Sequence, residues 1–473
     1  MSTIHPVEEI PPKTAEQKPS EIKKRPKCIR YVILLLAISC LSAIMANIIC
    51  FNFAVLCMPA HHKENSTEGY NQKERTVLFS AVAIGALLAI IPISLSIPYL
   101  GAKLVFLIAG LLSAASTALI PLAASTSFNL FMFVRVVQGV SFAALMPTVG
   151  SVTSTWAPIT QNGLFISVLS TFGQLSAVFS MPVSGELCES SLGWEFIYYL
   201  HASICLCLFV AWGLLYTNHP EDHKCISRHE LDIITEGKAT MAKTPDEMEK
   251  VPYIEIVTTP TVWGVWIGAL GDLIAIQLVH TFSPLYIRQV LGYSVHKTGF
   301  AAALPVLAQF CVKVFAGHSS DKIRCISETT KIRLYNTVAL GASAAFMIAL
   351  AFVEQGQGQL GVILLTLTTA MFGFNGGGFN KCATLVSRQH SHFVLANIQF
   401  IWCLSMLVCP VLVALLLPTG DATEWRQVYI IHAAILFISN LIFCFLATAK
   451  PAPWTKVPST VSLKRNTPII SKA

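Results

Sequence analysis

The chain has 473 residues, of which 54% are hydrophobic and only 12% charged, against roughly 25% charged in soluble proteins. That balance excludes a soluble globular protein of this length. The formal net charge of +7 does not point to nucleic acid, because the basic excess sits in the two tails and some loops.

Residues 1–30 are polar, with Pro, Lys and Glu, and read as a disordered tail with no cleavable signal sequence. About twelve apolar stretches of roughly 20 residues follow. They predict helices α1 over 31–57, α2 77–97, α3 102–124, α4 127–151, α5 163–185, α6 195–216, α7 260–283, α8 298–317, α9 335–353, α10 359–380, α11 394–418 and α12 427–448. Stretches such as Tyr31 to Leu56 and Val394 to Leu417 carry no charge, and each is long enough to cross about 30 Å of hydrocarbon. A backbone in lipid must satisfy its own hydrogen bonds, so these stretches are helices. The expected fold is an all-α membrane protein: a tail (1–30), a six-helix bundle (31–216), a linker (217–259), a second six-helix bundle (260–448) and a tail (449–473).

Charge sets the expected orientation. Lys23, Lys24, Arg25, Lys27 and Arg30 precede α1 and put the N-terminus in the cytoplasm. Twelve crossings return the C-terminus there, with Lys450, Lys456, Lys464 and Arg465. The α1–α2 loop then faces outward or into a lumen, where the Asn65-Ser66-Thr67 sequon would accept a glycan at Asn65. Neither tail chooses between plasma membrane and a lysosomal or vesicular membrane. In the linker, Ser227 to Glu230 reads as a capping box opening a short helix. The 14 cysteines lie mostly in apolar stretches and read as small hydrophobes, with Cys188 in an external loop and no disulfide expected.

The halves repeat. Trp194, Tyr198, His201 and Ala202 open α6 with the spacing of Trp425, Tyr429, His432 and Ala433 in α12. This supports a duplicated six-helix unit.

Ionisable residues inside spans are costly and serve as functional candidates. Arg135 in α4, with Gln138 one turn on, suits an anion or substrate clamp; a structural role paired to another helix is about equally favoured. Asp272 in α7 is a candidate for loading a proton or binding Na⁺, or for pairing with Arg135 itself. His280, two turns further, is a titratable candidate of the same kind. Asn52 in α1 either meets substrate or bonds a neighbouring helix. Lys313 and Lys381 are expected to snorkel toward a helix end. The Gly373 to Gly378 run, with Asn375 inside it, would break an isolated helix and suits a flexing segment. Asp321 and Lys322, in the loop after α8, are gating candidates. No phosphate-binding loop, metal-spaced Cys/His cluster or nucleophile elbow is present, so neither an enzyme nor a cofactor or metal is expected.

Several segments resemble the anion–cation symporter family of the major facilitator superfamily, which contains sodium–phosphate cotransporter-like proteins, sialin and vesicular glutamate transporters. These are Arg135-Val-Val-Gln138-Gly139 with Pro147 and Trp156-Ala157-Pro158; Gly193-Trp194; and Val251-Pro252-Tyr253 through Trp263. Gly317 to Lys322 followed by Ser327 to Thr337 is the most specific, and Glu424-Trp425 and Pro453-Trp454 complete the set. The chain departs from the family pattern where it has Phe142 for an acidic residue, Tyr99 for a basic one, Cys50 for an Arg, and Asp272 where the glutamate-transporting branch has Arg. The residues around Cys382 to Leu385 also replace an expected polar motif. The resemblance implies a major facilitator fold and secondary active transport, by alternating access, of a small organic or inorganic anion coupled to H⁺ or Na⁺. The polar and ionisable residues inside the spans, rather than the resemblance, supply the candidates: substrate contacts at Arg135, Gln138, Asn52 and Asn375, and ion coupling at Asp272 and His280. The expected partners are the solute, the coupling ion and the lipid membrane, with the protein monomeric and no nucleic acid bound. The alternatives are a transporter of a neutral or cationic solute, or a sensor that kept the fold without transporting.

Overall fold

The computed structural model describes residues 29–59, 70–158, 161–236, 252–323, 325–354 and 356–455. Asn65 lies outside them. Twelve helices are long and apolar enough to span a membrane: α1 (Ile29–Ala54), α2 (Gln72–Ile97), α3 (Tyr99–Thr126), α4 (Phe128–Trp156), α5 (Leu164–Glu189), α6 (Glu195–Leu215), α7 (Pro260–Gln289), α8 (Val295–Ser320), α9 (Glu328–Ala351), α10 (Gly358–Ser387), α11 (Phe393–Leu416) and α12 (Ala422–Leu446). Among the described residues there is no strand. Leu35, Leu88, Phe133, Leu214 and Phe445 are all exposed, the outward apolar face that a lipid surround requires.

The start of α1, the linker and the end of α12 share what we call the terminus face; the α1–α2 connection lies on the far face. Near the start of α3 the chain turns at Gly101, whose φ of +78° only glycine adopts without strain. Asn218, just past α6, closes this turn by accepting from the Lys103 amide at 2.9 Å. Gly85 and Gly139 let α2 and α4 touch, since a Cβ on either would strike the other helix's backbone.

The Trp/Tyr/His repeat has a common structural use. His201 Nδ1 donates to the Ile197 carbonyl at 2.7 Å, and His432 Nδ1 to the Val428 carbonyl at 2.8 Å. Tyr198 and Tyr429 are buried beside them.

The linker helix Arg228–Thr235 is capped by Ser227, which accepts from the Glu230 amide at 3.2 Å. The reciprocal half of the capping box is absent. Glu230 instead accepts from the Arg30 amide at 3.0 Å, fastening the linker to the start of α1. The Arg30 amide is one of the orphan N–H groups at the start of α1, where a carboxylate is favoured.

A disulfide joins Cys57, just past α1, to Cys188 in α5, contrary to the sequence reading. Spacing alone does not bring residues 131 apart together; the shared far-face position of the two helix ends does. The remaining buried cysteines, such as Cys40, Cys50 and Cys403, are small core residues as expected.

Candidate functional site

A small cavity lies where the two bundles meet. Its polar lining is Asn52 of α1, Arg135 of α4, and Gln277, His280 and Thr281 of α7. Its apolar lining comes from α1, α2 and α11, including Ile48, Ile49, Phe79, Trp402 and Met406. Its volume is about 20 Å³, room for about one water.

Arg135 is 1% exposed. It lies seven residues into α4, about 10 Å from the far face. Nη1 donates to Gln138 Oε1 at 2.6 Å and Nε to the Leu78 carbonyl at 3.3 Å. The guanidinium covers the Phe51 ring, 4.3 Å from its centroid. Gln138 is itself held, donating to Thr117 Oγ1 at 2.7 Å and to the Asn47 carbonyl at 3.1 Å. Gln138 thus positions Arg135 and does not line the cavity. Among the described residues no carboxylate pairs with Arg135. Burying a cation without a counter-charge is costly, and the arrangement suits an anion that arrives from outside.

Asp272 does not pair with Arg135. It is fully buried in the C-terminal bundle, away from the cavity lining, and accepts from Asn375 Nδ2 at 2.9 Å through Oδ2. Its other oxygen has no hydrogen-bond partner. Asn375 reaches it because α10 tightens to a 3-10 turn over Phe372–Gly377. Gly373 allows that turn to press on α8, where a Cβ would lie 2.8 Å from the Gln309 carbonyl. Lys313 stands on the stretch of α8 that Gly373 touches. Its amine meets the Ser170 carbonyl in α5 at 3.4 Å, so it bridges the bundles rather than snorkelling. Lys381 is likewise engaged, donating to Ser320 Oγ at 3.0 Å and lying 3.4 Å from Glu328.

Asn52 bonds a neighbouring helix and lines the cavity at once: its Nδ2 donates to the His280 carbonyl across the bundles at 3.2 Å. The His280 ring lines the cavity, and its Nε2 has no hydrogen-bond partner. Above the cavity Phe79 and Phe282 meet edge-on at 5.2 Å. Below it Trp402 contacts Phe142 at 5.3 Å and Phe172 at 6.0 Å. Phe142, standing where an acid was expected, is thus part of an aromatic floor. The far face is closed where α5 crosses α8. Gly299 packs on Gly185, His296 Nε2 lies 2.7 Å from Glu186 Oε1, and the His296 amide donates to Glu189 at 3.0 Å.

Lys322 is exposed at the end of the α8 helix, and the side chain of Asp321 lies outside the described residues. Sequence reading missed Gln277, Thr281 and Trp402. The first two carried a signal: with His280 they fall at i, i+3 and i+4 on one face of an apolar helix, and Gln277 donates to Thr281 at 2.6 Å.

The sequence pattern of the Major Facilitator Superfamily matches residues 31–391. The chain belongs to the major facilitator superfamily. Relatives within this superfamily are of the anion–cation symporter type. An uncharacterized transporter of Caenorhabditis elegans, slc-17.2, is 29% identical over 76% of this chain and 74% of its own length. Human sialin is 24% identical over 72% and 69%. Vesicular glutamate transporter 2.2 of Danio rerio is 25% identical over 76% of this chain and 62% of its own length. Among solved structures, a bacterial homolog of the human lysosomal transporter Spinster, inward-facing and unoccupied, superposes with a TM-score of 0.67 at 14% identity, covering 89% of this chain and 97% of that one. A D-xylose–proton symporter gives 0.64 at 13%, covering 86% and 97%. The major facilitator fold is therefore established, and the protein is a multi-pass membrane transporter rather than an enzyme.

Proposed function

We propose that the protein is a secondary active transporter of a small anion, coupled to H⁺ or Na⁺ and working by alternating access around the central cavity. One observation carries this reading: Arg135 is buried at the cavity between the bundles with no carboxylate partner among the described residues. Arg135 binds the anion, and Gln138 fixes its geometry. Asn52 and His280 complete the pocket. Asp272 is the coupling carboxylate, held by Asn375 in the bundle whose Lys313 touches the opposite bundle. The names of the relatives, sialin and vesicular glutamate transporters, support an anion. Asp272 does not line the cavity, which removes the main support for a cationic solute.

The terminus face is cytoplasmic in this reading. The basic residues before α1 support it, as does the Cys57–Cys188 disulfide on the opposite face, where an oxidising compartment would sustain it. Asn65 then faces that same compartment.

The test is uptake by purified protein in liposomes. Labelled phosphate, glutamate, urate, a sialic acid and an organic cation are offered with and without pH and Na⁺ gradients. Gradient-dependent uptake of an anion, lost in Arg135→Ala, is expected. Uptake of the cation alone would overturn the reading.

A further inference from the structure

We propose that the C-terminal bundle holds a Na⁺ site of its own, apart from the central cavity, built from the Asp272 carboxylate of α7, the Asn336 side-chain oxygen of α9 and the interrupted backbone of α10. This rests on the reading of Asp272 as the coupling carboxylate and names the ion and the groups that hold it.

Four helices close a polar ring. Asn375 of α10 donates to Asp272. Three residues on, Gly378 brings the α10 backbone against Asn336, where a Cβ would lie 2.8 Å from Asn336 Oδ1. Asn336 Nδ2 donates to Asn440 Oδ1 of α12 at 3.0 Å. Ser439, beside Asn440, packs on Gly271, beside Asp272, so closely that a Cβ on Gly271 would strike the Ser439 hydroxyl. Each helix of the ring touches the next, and the last touches the first. Neither Asp272 nor Asn336 lines the central cavity.

The ring has more acceptors than donors. Asp272 and Asn336 are both fully buried, and Asp272 Oδ1 and Asn336 Oδ1 have no hydrogen-bond partner. Lys313 gives its amine to the Ser170 carbonyl and makes no ion pair with Asp272 among the described residues. A buried carboxylate without a counter-charge is costly, and an unpartnered acceptor in the same ring adds to the cost. A bound cation relieves both.

The backbone favours a cation that takes several oxygens at once. α9 widens to a π-helical turn over Thr337–Ala342, directly after Asn336. α10 tightens to a 3-10 turn over Phe372–Gly377, and Gly378 is not helical. Such π turns recur at functional sites, and interrupted membrane helices supply backbone carbonyls to Na⁺. A proton would use one of these oxygens, whereas a hard cation uses the set. One carboxylate among neutral oxygens matches a single positive charge. Among the described residues no three His, Cys, Asp or Glu side chains gather, as a transition-metal site would need. A bare Na⁺ is smaller than a water molecule and needs no large cavity.

The experiment is equilibrium binding of radiolabelled Na⁺ to the purified full-length protein in nanodiscs. No candidate solute is present, and choline chloride keeps the ionic strength constant. Wild type should show one saturable site per chain, with K⁺ competing only at concentrations about tenfold higher or more. Asp272→Asn should abolish saturable binding. Asn336→Ala, which removes one oxygen ligand, should weaken it by about tenfold. Arg135→Ala, in the other bundle, should bind Na⁺ as wild type does. As a second readout Na⁺ should raise the Tm of wild type and of Arg135→Ala but not that of Asp272→Asn. No saturable binding by folded wild type, or equal binding by Asp272→Asn, overturns the site; proton-driven anion uptake by the same protein would leave the anion reading standing. Loss of Na⁺ binding in Arg135→Ala would place the ion in the central cavity and overturn a separate site. Na⁺ binding as described, in protein that moves no anion, would sustain the site and remove the anion reading.

Discussion

Gly299→Ala perturbs the closed far face at one defined point. A methyl there would lie 2.8 Å from the Met181 carbonyl and 3.3 Å from the Cα of Gly185. Both neighbours are backbone of α5, so neither can swing aside as a side chain would. Overpacking of this kind costs about 1–3 kcal/mol. Because α5 and α8 belong to different bundles, the cost applies only while the far face is closed. The equilibrium should therefore shift toward an open far face by about 5- to 150-fold, at tenfold per 1.4 kcal/mol. The assay is the labelling rate of Thr281→Cys, in the cavity beneath the Phe79–Phe282 contact, by an impermeant thiol reagent applied from the far face. The exposed Cys207, Cys225, Cys311 and Cys325 are first replaced by Ser. Gly317→Ala, on the same helix with nothing within 4 Å of its Cβ, is the control and should leave the rate unchanged. Folded Gly299→Ala protein labelled no faster than this control would refute the assignment of α5–α8 as the far-face closure.

Three further outcomes follow from the same geometry. Gln138→Leu leaves Arg135 Nη1 without its acceptor and frees the guanidinium to turn; anion affinity should fall by about 5- to 150-fold, the equivalent of 1–3 kcal/mol, in a binding assay. Asp272→Asn keeps an oxygen for Asn375 but removes the ionisable carboxyl. Gradient-driven accumulation should disappear while solute exchange persists, as measured by uptake with and without a gradient. Cys57→Ser removes a cross-link spanning 131 residues, and thermal unfolding in detergent should begin several degrees lower. About 2–5 kcal/mol is the soluble-protein scale, reduced here because the membrane already restrains both ends.

The twelve helices were legible because a lipid-spanning helix writes its length and apolarity directly into the sequence, as Val394 to Leu417 does. The Arg135–Gln138 bond was legible for a similar reason: three residues apart on a helix is a contact distance. The break at Phe372–Gly377 followed from the glycine run. An interhelical bond from Asn52 was open to sequence reading, but which residues of distant helices meet was not. Asp272 meets Asn375 rather than Arg135, Cys57 meets Cys188, and Glu230 leaves its own capping box for Arg30. Each depends on how the helices are arranged in space, which local spacing does not encode. Lys313 illustrates the limit: its position near a helix end suggested snorkelling, but the opposite bundle offers the Ser170 carbonyl closer by. Trp402 gave no sequence signal, since an aromatic residue in an apolar span is unexceptional until Phe142 and Phe172 are seen around it.

Counterflow in liposomes tests anion transport through Arg135 most directly. Vesicles loaded with unlabelled anion are placed in a trace of labelled anion, and wild type is compared with Arg135→Ala at equal reconstitution. Wild-type protein should accumulate label transiently above equilibrium, as alternating access around one site requires, and Arg135→Ala should not. Overshoot of equal size in both would contradict the role given to Arg135, and label that only equilibrates in wild type would contradict alternating access.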